Sequence, residues 1–394
     1  MLPCESVRIY LDHNATTPPL PEVVAVIADV LTGDFGNASS VHAFGQRAKA
    51  RIDGARGSVA SLIGADPNEV VFTAGGTEAD NLALRGAAES LDAAGRRHLV
   101  TSGIEHEAVL NTVKALERRN WSVTILSVPP SGVLPPEALR AAMRPETSLV
   151  SVMHANNEVG TIQPIADLAA IAHENSAWFH TDAVQSAGKV PVDVKALRVD
   201  LLSLSAHKFG GPKGVGALWI RRGIRLVPQL TGGRQERNRR GGTENVSGIA
   251  GLGVAATIAR EKLAASGAKI AALRDRFESG VLASVPGTAV NGERDARVPN
   301  TTNISFDGID AESLLIALDL EGVAISTGSA CSSGSLEPSH VLRAMGLPMS
   351  RTRNSLRFSL GPATTSAEID FVLDVLPALV TKLRGLGRRV AVVR

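Results

Sequence analysis

The stretch LLSLSAHKFGGPKGVGALWIR, residues 201–221, decides the fold that the sequence predicts. It contains two short apolar runs, Leu201–Ser205 and Gly216–Arg221, which are typical of buried strands. A turn rich in glycine and proline separates them, so that one of the two strands can run antiparallel to the rest of a sheet.

Outward from this stretch, toward the N-terminus, further apolar runs alternate with segments that have a helical period. The runs are 69–73, 98–102, 122–127, 149–153 and 177–182, and the helical segments include 81–91, 108–117 and 165–174. Such alternation predicts an α/β fold with a mostly parallel sheet that is covered by helices on both faces.

The chain after residue 254 has a different pattern. Helical stretches at 255–281 and 310–321 flank a strand-like TTNISF at 301–306. A final helix is expected to begin at Thr365, where Glu368 three residues later completes a capping box. This part is therefore predicted to form a second, smaller α+β domain.

Composition excludes several classes of protein. The 394 residues are 44% hydrophobic and 20% charged, with a net charge of +2, which does not favour binding to nucleic acid or a membrane surface. Two cysteines exclude a disulfide scaffold and indicate a reducing compartment. The longest uncharged apolar stretch, 246–259, is too short to span a bilayer, and the first residues show no secretory signal. We therefore expect a cytoplasmic protein.

Lys208 follows the strand 201–205 closely, directly after His207. A lysine at the inner end of a strand needs a partner for its charge or a reaction that removes it. Bonding to the aldehyde of a cofactor would remove it, because a desolvated lysine readily forms an imine. An exposed loop lysine is the alternative that this segment leaves open.

Asp182 ends the run 177–182. Its carboxylate would either pair with a protonated pyridine nitrogen or cap the N-terminus of a following helix. The segment TAGGTEADNLAL, 73–84, places two glycines before a helix that begins near Thr77, and such a helix start can bind an anion. Many strand-to-helix turns contain two glycines, so this motif alone decides little.

Two more polar segments follow predicted strands. His106 begins a helix, where its ring would stack on a planar cofactor or face solvent. Asn156 and Asn157 would bind a polar group of a ligand or form a turn. All five segments lie at the carboxyl edge of one sheet, where ligands of α/β proteins bind. Together they supply an amine, an acid, an anion site, a flat ring and amides, which match pyridoxal phosphate.

The segment STGSACSSGS, 326–335, surrounds Cys331 with small residues, and this composition predicts a mobile loop with a reactive thiol. A harmless surface cysteine is the alternative, and Cys4 is interpreted in that way. Arg357 lies in the alternating strand pattern of RNSLRFSLGPATT, 353–365. It would pair with an acidic residue of the protein or hold a substrate carboxylate with two hydrogen bonds.

These motifs resemble the pyridoxal-phosphate-dependent cysteine desulfurases of group I, the iron–sulfur assembly and nitrogen-fixation type within the class V aminotransferases. The resemblance covers nearly the whole chain. It is carried by YLDHNATTP (10–18), TAGGTEADN (73–81), MHANNEVG (153–160), HTDAVQ (180–185), SAHKFGGPKG (205–214), GSACSSGSLEPSHVLRAMG (328–346) and RFSLG (357–361). Ala74 and Arg234 stand where the family commonly has serine and glycine.

The resemblance implies the aminotransferase-like fold of pyridoxal phosphate enzymes (fold type I), with a seven-stranded sheet. The large domain would span 16–255, and the small domain 1–15 and 256–394, with the cysteine loop at about 326–336. It further implies a homodimer with shared active sites.

The same resemblance implies a role for individual residues. The catalytic residues would be Lys208, Cys331 and His106. The cofactor would be bound by Gly76, Thr77, Asn157, Asp182, Gln185, Ser205, His207, Lys208 and, across the dimer, Thr243. Asn157 and Arg357 would bind the carboxylate of L-cysteine. No resident metal is expected, and transient ligation of an iron–sulfur cluster by Cys331 stays open.

The implied reaction converts L-cysteine to L-alanine and leaves a persulfide on Cys331. The sulfur would then pass to an acceptor or scaffold protein for iron–sulfur assembly or the synthesis of another sulfur-containing cofactor. A selenocysteine lyase or another carbon–sulfur lyase of the same fold is an alternative, as is a non-catalytic scaffold that binds a sulfur acceptor. A nicotinamide-dependent oxidoreductase is the weakest alternative because the glycine fingerprint is missing.

Overall fold

The computed structural model describes residues 8–92, 95–327 and 338–392, with side chains up to residue 386. Its strands are β1 (Ile9–Tyr10), β2 (Val70–Thr73), β3 (His98–Ser102), β4 (Ser122–Leu126), β5 (Thr147–Ser151), β6 (Trp178–Asp182), β7 (Leu201–Ser205), β8 (Gly216–Ile220), β9 (Thr288–Val290), β10 (Thr301–Phe306), β11 (Val323–Ala324) and β12 (Ser355–Ser359).

The helices alternate with these strands through the first two thirds of the chain. They are α1 (Pro21–Gly33), α2 (Ala43–Leu62), α3 (Gly76–Leu91), α4 (Glu107–Glu117), α5 (Pro136–Ala142), α6 (Ile165–Glu174), α7 (Val194–Leu197), α8 (Gln235–Asn238), α9 (Val246–Ser284), α10 (Ala311–Leu320), α11 (His340–Ala344), α12 (Met349–Arg353) and α13 (Ser366–Val392).

Seven strands form the main sheet in the order β2-β8-β7-β6-β5-β3-β4. Only β8 runs antiparallel to its neighbours in this sheet, which confirms that one strand of the 201–221 stretch is reversed. The carboxyl ends of the six other strands therefore meet at one edge. Strands β3, β5 and β7 are buried along their whole length, as is expected for a sheet with helices on both faces.

Two smaller sheets are formed by strands of the C-terminal part of the chain together with the N-terminal β1. Strands β12, β10 and β9 form an antiparallel sheet, and β1 pairs in parallel with β11. One apolar cluster joins Ile9 and Leu11 of the N-terminal segment to residues of 270–380, including Phe277 and Phe358. Strand β12 brings Arg357 from this part of the chain toward the main sheet.

The sequence predicted each strand of the main sheet within about two residues, whereas α3 begins at Gly76, before the helical segment 81–91, and the helices α1 and α2 were not named. Strand β5 begins and ends two residues earlier than predicted, and α9 is much longer than the predicted 255–281. The capping box before α13 is present, since Thr365 and Glu368 exchange hydrogen bonds. The predicted domain boundary after residue 255 falls inside the continuous α9, so the two-domain division stays a prediction. Within the described part of the chain, no helix has the length and apolar composition needed to cross a membrane.

Candidate active site

The polar segments singled out from the sequence do share one edge of the main sheet. Gly76 follows β2, His106 follows β3, and Asn157 follows β5, while Asp182 is the last residue of β6. Lys208 ends a 3₁₀ turn directly after β7. Because these strands are mutually parallel, the sequence prediction of a common edge is confirmed.

An anion cradle lies at the start of α3. A cavity of about 780 Å³ is lined there by Gly76 and Thr77, and by Ser205 and His207 from the end of β7. A Cβ atom at Gly76 would lie 2.8 Å from the Val184 side chain, so only glycine fits this close approach. Exposed N–H groups at a helix start, next to hydroxyl groups, suit a phosphate.

His207 is neutral in this cradle. Burial, and then the positive charges of Lys208, Lys213 and Lys189, lower the pKa of His207 to about 4. Its ring nitrogen Nδ1 lies 3.1 Å from the hydroxyl of Thr16. The cradle therefore offers hydrogen bonds and lysine charge to an anion, without a charge on this imidazole.

Lys208 is held by the N-terminal segment. Its Nζ donates to the backbone carbonyl oxygens of Asn14 and Ala15, at 2.6 and 2.9 Å. Gln185 Nε2 donates to the same Asn14 oxygen at 3.0 Å. The amine of Lys208 and the amide of Gln185 are thus neighbours around one acceptor.

The pKa values of the buried Asp182 and of its partly buried neighbour His106 shift in opposite directions. Burial raises the pKa of Asp182, although the neighbouring His106 and Lys208 oppose the shift. Burial lowers the pKa of His106, so its ring is neutral at pH 7. A turn follows Asp182 rather than a helix, and its Oδ1 accepts the N–H of Val184 at 2.8 Å. The helix-cap alternative is therefore wrong, and the carboxyl can accept a further cationic partner.

Asn156 and Asn157 have different environments. The side chain of Asn156 stabilises the turn, because it accepts from the N–H groups of Glu158 and Val159 and donates to the Ile104 carbonyl. The Oδ1 atom of Asn157 is buried and has no hydrogen-bond partner in the described structure. An unsatisfied amide oxygen is costly, so a ligand at Asn157 would be stabilising.

Arg357 is almost fully buried, with 3% of its surface exposed. Its Nη2 lies 2.6 Å from Asp12 Oδ1, and its Nη1 donates to the Asn157 carbonyl at 3.1 Å. Its Nε is buried without a partner among the described residues. The acidic residue that the sequence offered as one alternative is therefore present, and three of the five N–H groups of the guanidinium are not used by these two bonds.

Some predicted site residues are not part of this geometry. Thr243 is exposed and lines a cavity of about 90 Å³ that adjoins the anion cradle, since Ala74, Gly214 and Arg240 line both cavities, but Thr243 does not line the cradle itself. Cys331, Cys4 and most of the loop 326–336 lie outside the described residues. Their roles stay predictions.

The sequence analysis missed residues that hold the site together. Asn14 bonds Lys208, Gln185, Asn157 and Lys189, yet nothing singled it out within YLDHNATTP. Lys189 is half-buried beside it, four residues after Gln185. For Asn14, the available signal was the polar run Asp-His-Asn directly after an apolar strand. For Lys189, the signal was a lysine within the apolar stretch AGKVPV.

Comparison with known proteins now adds to the geometry. The family model of the class-V aminotransferases matches residues 9–372. The chain belongs to this family. Its relatives include the cysteine desulfurase IscS of Methanosarcina thermophila, 49% identical over 97% of this chain and 94% of the relative. A cysteine desulfurase of Trichormus azollae is 50% identical over 96% of this chain and 94% of its own length.

Solved structures agree with the family. A NifS-like protein has a TM-score of 0.90 and 36% identity, covering 96% of this chain and all of the other. The structure titled SspA in complex with cysteine has a TM-score of 0.80 and 37% identity, covering 91% of this chain and all of the other. The chain accordingly has the fold of the pyridoxal phosphate enzymes of fold type I.

The family cofactor is pyridoxal phosphate, and the residues present fit it. The glycine cradle at α3 would hold the phosphate, and the buried carboxyl of Asp182 would pair with the pyridine nitrogen. The unsatisfied Oδ1 of Asn157 and the amide of Gln185 supply further hydrogen bonds. Lys208 supplies the amine and Asn157 Oδ1 an acceptor, so the residues present fit the phosphate, the ring nitrogen and the aldehyde of the cofactor.

Proposed function

We propose that this protein is a cysteine desulfurase that converts L-cysteine to L-alanine and takes up the sulfur on Cys331. The observation that carries the proposal is a chain of hydrogen bonds between Lys208 and Arg357. Lys208 donates to the Asn14 carbonyl, the Asn14 amide donates to the Asn157 carbonyl, and Arg357 donates to that same carbonyl. An amine for carbonyl chemistry and a guanidinium for a carboxylate thus belong to one site, as an amino-acid substrate requires.

The proposed cofactor contacts follow from the site. Thr77, Gly76, Ser205 and His207 bind the phosphate, and His106 covers one face of the ring with its neutral imidazole. Asp182 pairs with the ring nitrogen. When bound, pyridoxal phosphate supplies a ring that stores the electron pair left by a broken bond at the substrate Cα.

The protein residues then move protons and orient the substrate. Arg357 and Asn157 hold the carboxylate of L-cysteine, which fixes the direction of its Cα–H bond. Lys208 Nζ removes the proton from Cα and holds it near the reacting carbons. The burial of Arg357 strengthens its bond to the carboxylate, because little water competes with it.

Cys331 is proposed as the sulfur acceptor. Its thiolate attacks the substrate sulfur, so that a sulfur–sulfur bond forms and the carbon–sulfur bond breaks. The electron pair left on the carbon side is protonated and gives alanine. The sulfur remains on Cys331 as a persulfide.

A homodimer is part of the proposal. Phe35, Val41 and Phe44 expose 67%, 92% and 46% of their surfaces beside one another in sequence, and the rings of Phe35 and Phe44 are 5.4 Å apart. An exposed aromatic cluster favours contact with another chain. A second copy would cover it and would bring its exposed Thr243 to the cofactor phosphate of this chain.

We further propose a cytoplasmic location and an acceptor protein, in an iron–sulfur assembly or another sulfur relay. The two cysteines of the chain support a reducing compartment. The choice of acceptor would be made on the protein surface rather than in the cavity described above.

Mass spectrometry of the intact protein tests the function. The cofactor-loaded chain is incubated with L-cysteine, and both the protein mass and released alanine are measured. We expect alanine and one or more added sulfur atoms on Cys331. Cys4→Ser, which removes the other cysteine of the chain, should behave as the wild type.

Cys331→Ser should keep the cofactor and lose the transfer of sulfur. Persulfide delivery that persists in this variant would refute the role of Cys331. Alanine release with an unmodified Cys331 in the wild type would instead indicate a lyase that does not use the thiol. A chain without bound cofactor and without turnover would support a scaffold.

A further inference from the structure

A second lysine lies beside Lys208 in the site. Lys189 Nζ donates to Gln185 Oε1 at 2.7 Å and to Asn14 Oδ1 at 2.9 Å. Both acceptors are neutral amide oxygens, and Lys189 forms no salt bridge with the described carboxylates. A cation that is desolvated in this way requires compensation from elsewhere.

The electrostatic surroundings of Lys189 are positive. Burial, and then the charges of Lys208 and Arg357, lower the pKa of Lys189 well below its ordinary value. Of these three cations, Arg357 has a carboxylate partner, and this partner is Asp12. A ligand that carries negative oxygens would therefore be stabilised next to Lys189.

Lys189 also determines which way two side-chain amides face. The Nζ of Lys189 donates to Gln185 Oε1, so the oxygen of this amide is the atom that faces the lysine. The Gln185 nitrogen must then lie on the other side, where one of its hydrogens goes to the Asn14 carbonyl beside Lys208. The second hydrogen of that nitrogen has no recorded acceptor among the described residues.

Asn14 is oriented by the same rule. Its Oδ1 accepts from Lys189 and from Asn300 Nδ2, at 2.9 Å in both bonds. Its nitrogen consequently donates to the Asn157 carbonyl and to the Thr301 hydroxyl, at 3.0 and 2.8 Å. The amine of Lys189 thus orients both amides that border the amine of Lys208.

We propose that Lys189 is a positioning residue, which keeps the nitrogen of Gln185 turned toward the phenolic oxygen of the cofactor and places a positive charge behind that amide. This inference rests on the proposed function, because it concerns the cofactor of that same site. Without Lys189 the Gln185 amide can rotate, and its oxygen would then face a negative oxygen of the cofactor. The loss of the positive charge of Lys189 would also destabilise the negative oxygen of the cofactor.

The pH dependence of the cofactor's visible absorbance tests the proposal. The loaded wild type, Lys189→Met and Lys189→Gln are titrated, and the affinity of each cofactor-free chain for pyridoxal phosphate is measured by fluorescence. In Lys189→Met we expect the midpoint to rise by about one pH unit and the affinity to fall about tenfold, since a unit shift corresponds to about 1.4 kcal/mol. Lys189→Gln keeps a donor for Gln185 but lacks the charge. It should therefore retain most of the wild-type affinity, while the midpoint of its pH titration should lie between those of the wild type and Lys189→Met.

Two controls separate positioning from a general loss of structure. Lys262→Met removes an exposed lysine that lines a cavity together with Lys189, and it should leave both quantities unchanged. In a Gln185→Leu background, Lys189→Met should lower the affinity for the cofactor little further, because the lysine acts on affinity mainly by positioning the Gln185 amide. Additive effects on the affinity in this double-mutant cycle would overturn the proposal.

A midpoint and an affinity that equal the wild-type values in Lys189→Met would also overturn it. If that variant does not fold, as judged by circular dichroism, Lys189→Gln decides the question by the same two measurements. A wild-type chain that shows no visible cofactor band would refute the proposed function itself. The two failures are therefore distinguishable.

Discussion

The guanidinium of Arg357 lies 2.6 Å from the carboxylate of Asp12, and both side chains lie largely away from water. This pair joins β12 to the segment after β1, which also carries Asn14. The ion pair holds the guanidinium in a single orientation, so the carboxylate site that we propose at Arg357 would be formed before the substrate arrives. Such preorganisation reduces the entropic cost of binding.

Arg357→Lys tests this arrangement. An ammonium cannot reproduce the planar pair of donors, so we expect kcat/KM for L-cysteine to fall about 100-fold, mainly through a higher KM. That loss corresponds to about 2.7 kcal/mol, within the range for charge-assisted hydrogen bonds. Steady-state kinetics with the loaded enzyme measure it. Arg353→Lys, on the exposed end of α12, is the matched control, and an unchanged KM in Arg357→Lys would contradict the assignment.

Lys208→Ala should abolish the covalent attachment of the cofactor. We expect borohydride reduction to fix pyridoxal phosphate to Lys208 in the wild type and to leave the variant unlabelled, as peptide mass spectrometry would show. Turnover should fall by at least about 1000-fold, since the variant also loses the proton acceptor. Lys213→Ala removes an exposed lysine that lines the anion cradle, five residues after Lys208, and should keep the label. A label on another lysine would refute the role of Lys208.

The sequence predicted the sheet edge because strand periodicity and chain order determine which ends are adjacent. Asp182 and Lys208 could be found in this way, since each follows a strand that is apolar enough to be buried. The importance of Asn14 could not be predicted, because its partners come from positions more than 140 residues away in the sequence. The orientation of an amide depends on such distant partners and leaves no local pattern.

The partner of Arg357 illustrates the same limit. Alternation in RFSLG indicates a strand with an inward arginine, and the need for an acidic partner follows from burial. Which carboxylate it is depends on the placement of β1 and β12, which are 345 residues apart along the chain. The local sequence therefore indicates that Arg357 needs an acidic partner, and tertiary packing determines which residue it is.

Phe35→Ser should weaken the proposed homodimer. Phe35 exposes 67% of its surface and contacts Phe44, so a polar residue would remove apolar area from the interface. We expect a shift toward monomer in analytical ultracentrifugation over a range of concentrations, and weaker retention of the cofactor. Leu320→Ser, at an 82% exposed position on α10, should leave both unchanged. A Phe35→Ser protein that stays dimeric at every concentration would contradict this interface.

Glu105 provides a prediction about pH and stability. Its carboxyl is fully buried beside His106, where it accepts hydrogen bonds from Ser102 and from the N–H of Met153. Burial raises the pKa of Glu105 to about 8 from an ordinary value near 4.5. The folded protein therefore binds more protons than the unfolded chain between these two pH values. The contribution of Glu105 to the free energy of unfolding therefore falls as the pH rises through this window.

Glu105→Gln resembles the protonated form and removes this dependence. We expect the variant to match the wild type near pH 5 and to be more stable above pH 8, by up to several kcal/mol at about 1.4 kcal/mol per unit of pKa shift. Urea unfolding of the cofactor-free protein at pH 5, 7 and 9 measures the difference. Glu117→Gln, at the exposed end of α4, should show no such trend. A Glu105→Gln protein that is equally destabilised at all three pH values would mean that Glu105 is ionised in the folded state.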